Sequence, residues 1–324
     1  MTSKATPWGQ IAEPCSDYNV RRVADTTIIP TYWGKDAEGQ CLFIIELAGD
    51  HAPRYRREAT RLNGINVDLR NGENKNQQRL VLTLAQNVDS DLFLGLCETL
   101  ISSLTTVTDS AVALSVTLQH LKRWKAFLAG KKARILTKEE IRGLFAELHI
   151  LRQLYQRRLT QEEAIDAWCG AEGAHQDFIF GNTSIEVKSL SGRERSSVRI
   201  SSEDQLEALV ENLFLVTVRL TDMPDLDSAR SLNDIVLLIE RELESAEAIE
   251  QFSEKIANCG YATLPDYDNP RFAVVGSNGY KVTDEFPRII RSQISQGLFH
   301  VAYDIKLEAI TSFSCEEDQI FGRP

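Results

Sequence analysis

The segment 176–188 constrains the fold of this chain more than any other part of the sequence. Gly181 and Asn182 stand between two short apolar runs, which is the pattern of a two-residue β-hairpin turn. Such a turn fixes the register of the two strands and places Asp177 directly opposite Glu186. Side chains opposed in this way share one face and stand about 5 Å apart. The sequence therefore predicts two neighbouring carboxylates on one face of a hairpin.

The same register separates a polar face of the hairpin from an apolar face. Lys188 lies two residues beyond Glu186 and therefore on the face of the two carboxylates. The turn pairs Phe178 with Ile185 and Phe180 with Thr183. The face opposite the carboxylates, which can be buried in a core, carries the apolar side chains of Phe178, Ile185 and Val187.

The paired carboxylates have two interpretations. Two opposed carboxylates repel one another unless a cation or a proton lies between them. A divalent metal ion would solve this problem, and a lysine beside it can orient a water molecule for phosphodiester hydrolysis. The alternative is an ordinary solvated hairpin face, for which Asp, Glu and Lys are common residues. The pattern alone leaves both interpretations open.

A predicted helix upstream of the hairpin supplies another carboxylate. A capping-box pattern over 137–140 marks its start, and apolar residues follow at helical spacing. Glu147 lies close to this apolar stripe, where it can reach a metal ion at the edge of a sheet. The alternative is a boundary glutamate paired with Arg142 or Arg152. Gly143 costs about 1 kcal/mol relative to alanine inside a helix, which suggests that it admits another backbone at close range.

A polar residue downstream of the hairpin is a further candidate. Ser202 and Gln205 form a second capping-box pattern, which predicts the start of a helix over 201–206. That position gives Gln205 a sufficient structural role. The alternative is that its carboxamide contacts a phosphate or the attacking water.

The chain is long enough for more than one folding unit. Its 324 residues are 43% hydrophobic, which allows a substantial core and about two domains. Strand-like runs dominate residues 1–87, and helical periodicity dominates residues 88–136. From residue 137 onward helical and strand-like segments alternate, including a strongly β run over 212–220. We therefore predict a β-rich N-terminal domain, a helical connector and a domain over 137–324.

Composition excludes several classes of protein. No stretch is long and apolar enough to span a membrane, and the first residues lack an apolar signal core, so we expect a cytoplasmic protein. The six cysteines are scattered without a CxxC pair, which predicts buried free thiols rather than zinc ligands. The five histidines show no metal-ligand spacing.

The charge of the chain is unevenly distributed. A net charge of −11 argues against nonspecific nucleic-acid binding by the whole surface. The segment 121–158 nevertheless carries eleven basic and three acidic residues, and Arg193, Arg195 and Arg199 follow the hairpin. Such segments suit a phosphate backbone, and the alternative is a solvated helix face. The eleven basic residues are Lys122, Arg123, Lys125, Lys131, Lys132, Arg134, Lys138, Arg142, Arg152, Arg157 and Arg158.

The order of these motifs resembles the PD-(D/E)XK nuclease superfamily. Glu147 on a helix, Asp177 at a hairpin, the run 186–188 and then Gln205 follow the order of its RecB-like and phage-exonuclease-like branches. The chain more specifically resembles an uncharacterised group of bacterial PD-(D/E)XK proteins over most of its length. The matching pieces lie at 143–151, 168–170, 176–178, 186–188, 202–206 and 282–288.

The resemblance implies a fold and a metal site. The fold is α/β (α+β mixed), with a restriction-endonuclease-like core whose central sheet is flanked by helices, preceded by the β-rich domain. Mg²⁺ or Mn²⁺ would be held by Asp177, Glu186 and the Val187 carbonyl, with Glu147 as an accessory ligand. Lys188 would position or help to activate the attacking water. Oxygen ligands, without Cys or His clusters, favour these ions over zinc.

The resemblance also implies a biological setting. Proteins of this kind cleave DNA and are often encoded beside restriction and phage-defence genes, which implies a defence role and protein partners. A homodimer is compatible with this activity, because cutting both strands often needs two sites. The alternative is a catalytically inactive subunit that keeps the nuclease fold for DNA binding or assembly, since a strongly acidic C-terminal half opposes the approach of DNA.

The sequence departs from the superfamily pattern at two positions. Gln176 stands where the motif has proline, a change that many members tolerate. Leu209 stands where the RecB-like branch has tyrosine, so the subtype is in doubt while the three metal-binding positions are intact.

Overall fold

The computed structural model describes residues 6–24, 27–72, 74, 76–85, 89–129, 134–192, 196–207 and 210–322. Contacts divide the chain into two compact units, Met1–Ile135 with Gly260–Asp266 and Leu136–Cys259 with Tyr267–Pro324. The predicted boundaries after residues 87 and 136 stay predictions. Some positions named above lie outside the described residues, namely Lys131, Lys132, Arg193, Arg195 and Leu209.

The first unit is built on an antiparallel sheet with the strand order β1-β2-β3-β5-β4. The third strand, β3 (Cys41–Ala48), has a continuous apolar run, and its residues 42–45 are all buried. The strands are β1 (Tyr18–Arg22), β2 (Thr31–Asp36), β3 (Cys41–Ala48), β4 (Ile65–Asn71) and β5 (Gln77–Leu84). The helices are α1 (Ala52–Glu58), α2 (Ser90–Leu104) and α3 (Ser110–Ala129). The predicted β-rich N-terminal region is therefore confirmed.

The second unit combines a mixed sheet with helices. Its five-stranded sheet has the order β12-β10-β9-β7-β6, in which β7 and β9 run parallel, and β8 pairs separately with β11. The strands are β6 (Phe178–Phe180), β7 (Thr183–Ser191), β8 (Ser197–Ile200), β9 (Asn212–Asp222), β10 (Phe272–Val282), β11 (Tyr303–Lys306) and β12 (Ser314–Cys315). The helices are α4 (Lys138–Arg157), α5 (Gln161–Ala167), α6 (Leu232–Glu242), α7 (Ala246–Asn258) and α8 (Glu317–Phe321). The predicted α/β (α+β mixed) class is confirmed.

Helix α4 is the element that covers the sheet next to the hairpin. It begins at the predicted capping box, in which Thr137 accepts from the Glu140 N–H and the Glu140 carboxylate accepts from the Thr137 N–H. Its apolar stripe is buried, and the helix packs against β7, β9 and α6. Outside the backbone of its own helix, a Cβ atom added at Gly143 would have no heavy atom of the described residues within 4 Å, so the expected close approach of another backbone there is wrong.

Strand β9 lies at the centre of the mixed sheet. Residues 213–218 are buried without interruption, as expected of a strand covered on both faces. Its parallel register sets Leu215 beside Glu186 and Thr217 beside Lys188. The strand on its other side is β10, whose pairing with β9 shifts between Val274 and Gly276.

The structure bears on two expectations from composition, which concern the burial of the cysteines and membrane-spanning segments. Of the six cysteines, all free thiols, only Cys97 is buried and Cys15 is exposed, so the expectation that these thiols are buried is wrong for five of them. In the part of the chain that the structure describes, no helix has the length and apolarity that crossing a membrane requires.

Candidate functional site

The hairpin of β6 and β7 forms in the predicted register. Phe178 pairs with Ile185 and Phe180 pairs with Thr183. Gly181 adopts a φ of 52°, which glycine tolerates more readily than other residues in a tight turn. The Asp177 N–H donates at 3.1 Å to the carbonyl of Ile185, which is already the partner of Phe178, so the regular pairing ends at Phe178. Asp177 therefore lies beside Glu186 without the direct in-register pairing that the turn predicts.

Two main-chain N–H groups hold Asp177 at the end of the hairpin, one through its side chain and one through its carbonyl. Its Oδ2 atom accepts from the Val187 N–H at 2.7 Å, while its own carbonyl accepts from the Gly170 N–H at 3.0 Å. A Cβ atom at Gly170 would lie 2.9 Å from Asp177 Oδ1 and 3.4 Å from Glu147 Oε2. Both carboxylates therefore border Gly170, where no larger side chain fits without displacing them.

Glu186 is a buried carboxylate with an incomplete set of partners. The residue is 1% exposed, and its Oε1 atom lies 2.8 Å from the Lys188 Nζ atom. Its Oε2 atom is also buried and accepts no hydrogen bond from any described residue. Buried polar atoms almost always have a partner, so an unpaired carboxylate oxygen needs an explanation such as an ion.

Lys188 joins the carboxylates to Gln205. Its Nζ atom donates to Gln205 Oε1 at 3.0 Å, and the same oxygen accepts from the Ser201 N–H at 2.8 Å. The predicted helix over 201–206 is wrong, because residues 203–206 form a turn. The Ser202 hydroxyl accepts from the Asp204 N–H at 3.1 Å, a local bond that favours a turn over a helix.

Glu147 lies on α4, at the border of the same site. Its Oε2 atom accepts from the Trp168 indole Nε1 at 2.9 Å. Arg152, one of the partners that the alternative interpretation offered, pairs instead with Glu242 at 2.5 Å. The structure thus brings together all the predicted side chains of the site, which are Glu147, Asp177, Glu186, Lys188 and Gln205.

The electrostatics of the site disfavour negative charge. Loss of hydration raises the pKa of Asp177 to about 6, although the Val187 N–H and then Lys188 oppose this shift. Burial raises the pKa of Glu186 well above its usual range, and the charge of Asp177 and, more weakly, that of Glu147 add to the shift. Lys188 lowers the Glu186 pKa without reversing its direction. A cation would relieve this repulsion.

The donor set suits a hard divalent cation. Asp177 and Glu186 offer carboxylate oxygens, and Glu186 Oε2 is without a hydrogen-bond donor among the described residues. Oxygen donors of this kind fit Mg²⁺ or Mn²⁺. Across the described ranges, no three His, Cys, Asp or Glu side chains are already gathered as a metal cluster. A main-chain oxygen such as the Val187 carbonyl would have to complete the site.

Three of the arginines singled out in the sequence are paired with acidic side chains of the protein. Arg152 pairs with Glu242, and Arg157 pairs with two carboxylates of α8 at 2.6 and 3.0 Å. Arg199 pairs with Asp304 at 3.1 Å. Their positive charge is therefore partly neutralised by neighbouring acids, which weakens the argument for a basic surface.

One supporting group was missed from the sequence alone. Lys255 on α7 donates to the carbonyls of Asp166 and Trp168 at 3.1 and 2.9 Å and pairs with Glu172 at 3.1 Å. It thereby holds the turn that carries Gly170 against the carboxylates. A single lysine in an acidic helix gives no sequence signal for this role, because its partners are main-chain carbonyls.

The fold and the site together define a class of protein. A mixed sheet covered by helices, with Asp177 beside a Glu-x-Lys strand and a glutamate from a neighbouring helix, has the features of a PD-(D/E)XK protein. Residues 5–308 match the family described as "Putative PD-(D/E)XK family member, (DUF4420)". The chain belongs to this family, which confirms the resemblance. No curated protein and no solved structure gives a significant match to the chain.

Proposed function

We propose that this chain is a metal-dependent nuclease that hydrolyses phosphodiester bonds in DNA. The observation that carries the proposal is Glu186, which is 1% exposed, lies close to Asp177 and leaves one carboxylate oxygen unpaired among the described residues. Burying a carboxylate without full compensation costs several kcal/mol. A bound Mg²⁺ or Mn²⁺ would remove that cost and would supply the reaction with a Lewis acid.

The places of the side chains in the site suggest which of them would hold the metal ion. Asp177, Glu186 and the Val187 carbonyl would hold the metal ion, with Glu147 as an accessory ligand. When bound, the ion polarises the phosphate and stabilises negative charge in the transition state. The hydrogen bond from the Val187 N–H keeps Asp177 Oδ2 fixed, so the chain itself orients this carboxylate.

Lys188 is proposed to orient the attacking water. Its ammonium group has three N–H donors, and Glu186 Oε1 and Gln205 Oε1 accept at 2.8 and 3.0 Å. A third N–H then remains for a water or for a phosphate oxygen. Because two acceptors fix the ammonium position, the water it binds would be held in one place relative to the carboxylates.

The family supports DNA as the substrate, whereas the defence setting rests on the resemblance alone. We propose a role in restriction or phage defence, in which the chain works beside protein partners or as a homodimer. A second candidate is an inactive subunit that uses the fold for DNA binding or assembly. It is favoured by the net charge of −11 and by the pairing of Arg152, Arg157 and Arg199 with acidic residues.

The test is cleavage of plasmid and linear DNA by the purified chain with Mg²⁺ or Mn²⁺. We expect Lys188→Ala to lower the cleavage rate at least about 100-fold, since general acid–base and positioning groups contribute factors of this size. Gel analysis of time courses gives the rate, and circular dichroism checks that the variant folds.

Lys306→Ala is the matched control, because Lys306 is an exposed lysine of the same unit whose partner, Glu308, is also exposed. We expect it to cleave like the wild type. Cleavage by Lys188→Ala at the wild-type rate would contradict the proposal. Metal binding without any cleavage by the wild-type chain would favour the inactive subunit.

A further inference from the structure

Gln176 directly precedes Asp177, and its side chain points into the protein. The residue is 1% exposed. Its Nε2 atom lies 3.1, 3.3 and 3.2 Å from the carbonyl oxygens of Asp204, Gln205 and Glu207. These three carbonyl oxygens fix the orientation of the carboxamide, because they would repel the Gln176 oxygen if it took the place of the nitrogen. The side chain therefore uses its donors and leaves its Oε1 atom buried without a donor among the described residues.

The turn that Gln176 holds carries the group that contacts Lys188. Gln205 sits within this turn, and its Oε1 atom accepts from both the Ser201 N–H and the Lys188 ammonium. Residues 203–206 have no helical hydrogen-bond ladder to fix them, since the turn is stabilised by single bonds such as that from the Gln205 N–H to the Ser202 carbonyl at 3.3 Å. The Gln176 carboxamide adds three contacts to this turn, beside the bonds of Glu203 with the Val301 N–H and of the Arg288 guanidinium with the Leu206 carbonyl.

We propose that Gln176 is a positioning residue for the reaction at this site. It holds the 203–207 turn so that Gln205 fixes the Lys188 ammonium beside Glu186. Its effect on catalysis rests on the proposed function, whereas the structural link from Gln176 to Gln205 does not. The Asp177 carboxylate is anchored separately by the Val187 N–H, so the proposal assigns Gln176 to the lysine and not to the metal ligands.

The first test measures the position of Gln205 without any reaction. Gln176→Met keeps the length of the side chain and removes its N–H donors. We expect the Ser201 amide to exchange its hydrogen about tenfold faster, because its acceptor on Gln205 is displaced and a hydrogen bond of ordinary strength is lost. Gln205→Ala should accelerate the same amide to a similar extent. Hydrogen exchange followed by NMR resolves this single amide.

The second test measures the consequence for cleavage. We expect Gln176→Met to lower kcat about tenfold, the effect of losing a group that orients a functional side chain, with KM and Mn²⁺ affinity unchanged. The same substitution in a Gln205→Ala background should cause no further loss, because both act through one contact to Lys188. A residue with only a general structural role would lower activity in both backgrounds.

Gln161→Met is the matched control. The Gln161 carboxamide also anchors main chain in this unit, donating to the Glu242 carbonyl at 2.7 Å and accepting from the Glu244 N–H at 2.9 Å. We expect this variant to leave both Ser201 exchange and kcat unchanged. Gln176→Leu is a second variant with the same expectations if methionine prevents folding.

The outcomes separate this inference from the proposed function. Ser201 exchange at the wild-type rate in folded Gln176→Met would overturn the positioning role, as would equal losses of kcat with and without Gln205. A wild-type chain that cleaves no nucleic acid would overturn the proposed function and the catalytic half of this inference. Faster Ser201 exchange would still support the link from Gln176 to Gln205 in that case.

Discussion

Glu186 and Asp177 occupy positions where their carboxyl groups do not stabilise the metal-free folded chain. One oxygen of the buried Glu186 carboxylate is unpaired among the described residues, and the Asp177 carboxyl lies close to it. Such a pair destabilises the metal-free protein, because the pKa of each carboxyl is raised by lost hydration. Locally unfavourable arrangements of this kind concentrate at functional sites, where a ligand compensates for them.

Replacing Asp177 by asparagine tests this cost through its pH dependence. Its pKa of about 6 lies above the ordinary value of 3.8, so the folded chain binds this proton more tightly than the unfolded chain does. Wild-type stability from this group is therefore present below about pH 4 and is lost as the pH rises through about 6. In metal-free buffer, Asp177→Asn should be more stable than the wild type above pH 6 by on the order of 1 kcal/mol.

Urea unfolding between pH 4 and pH 8, in the presence of a chelator, measures this difference. The gain in stability should shrink toward zero as the pH falls to about 4, since both proteins then carry a neutral side chain at this position. A variant that is less stable than the wild type at pH 8, or a gain that does not change with pH, would contradict the account.

At the scale of elements, the sequence predicts the hairpin well and the turn after it poorly. The register of β6 and β7 follows from Gly181 and Asn182, because a tight turn leaves only one pairing. The 201–206 segment carries a helix-start pattern yet forms a turn. The carboxamide of Gln176, a residue distant in sequence, donates to carbonyls of this turn, and no local pattern encodes that contact.

Short peripheral elements also escaped prediction, for a physical reason. Strand β1 lies at the edge of its sheet with most of its side chains exposed, so it lacks the apolar alternation that marks a half-buried strand. Helix α4 was predicted accurately because its start has a complete capping box and its stripe is strongly apolar. Elements that pack deeply leave a clear sequence signal, and elements at edges do not.

A substitution at Gly143 tests the stability of helix α4 separately from the geometry of the site. Gly143→Ala should stabilise the protein by about 1 kcal/mol, because alanine is the better helix former and its Cβ atom would meet no described residue beyond its own helix within 4 Å. Thermal or urea unfolding measures the gain.

Replacing Gly170 by alanine is the control, because the opposite effect on stability is expected there. There the Cβ atom would lie 2.9 Å from Asp177 Oδ1, so Gly170→Ala should destabilise the protein or displace that carboxylate. A loss of stability in Gly143→Ala would show that the glycine is needed for packing, in conflict with the open space around it.

At the scale of the whole molecule, the protein is an acidic member of a nuclease-like family. Its net charge is −11, and several arginines that the sequence offered for phosphate binding are paired with carboxylates. A long-range positive field therefore does not explain how DNA would approach. In the proposed function the attraction is local, because a cation held by Asp177 and Glu186 would bind a phosphate directly.

The central claim is most directly tested by calorimetric titration of the purified chain with Mn²⁺, beside Asp177→Ala. The account predicts a binding isotherm in the wild type that disappears in the variant, because the metal needs both hairpin carboxylates. Equal binding by the two proteins, or no binding by the wild type, would contradict a metal site at this hairpin.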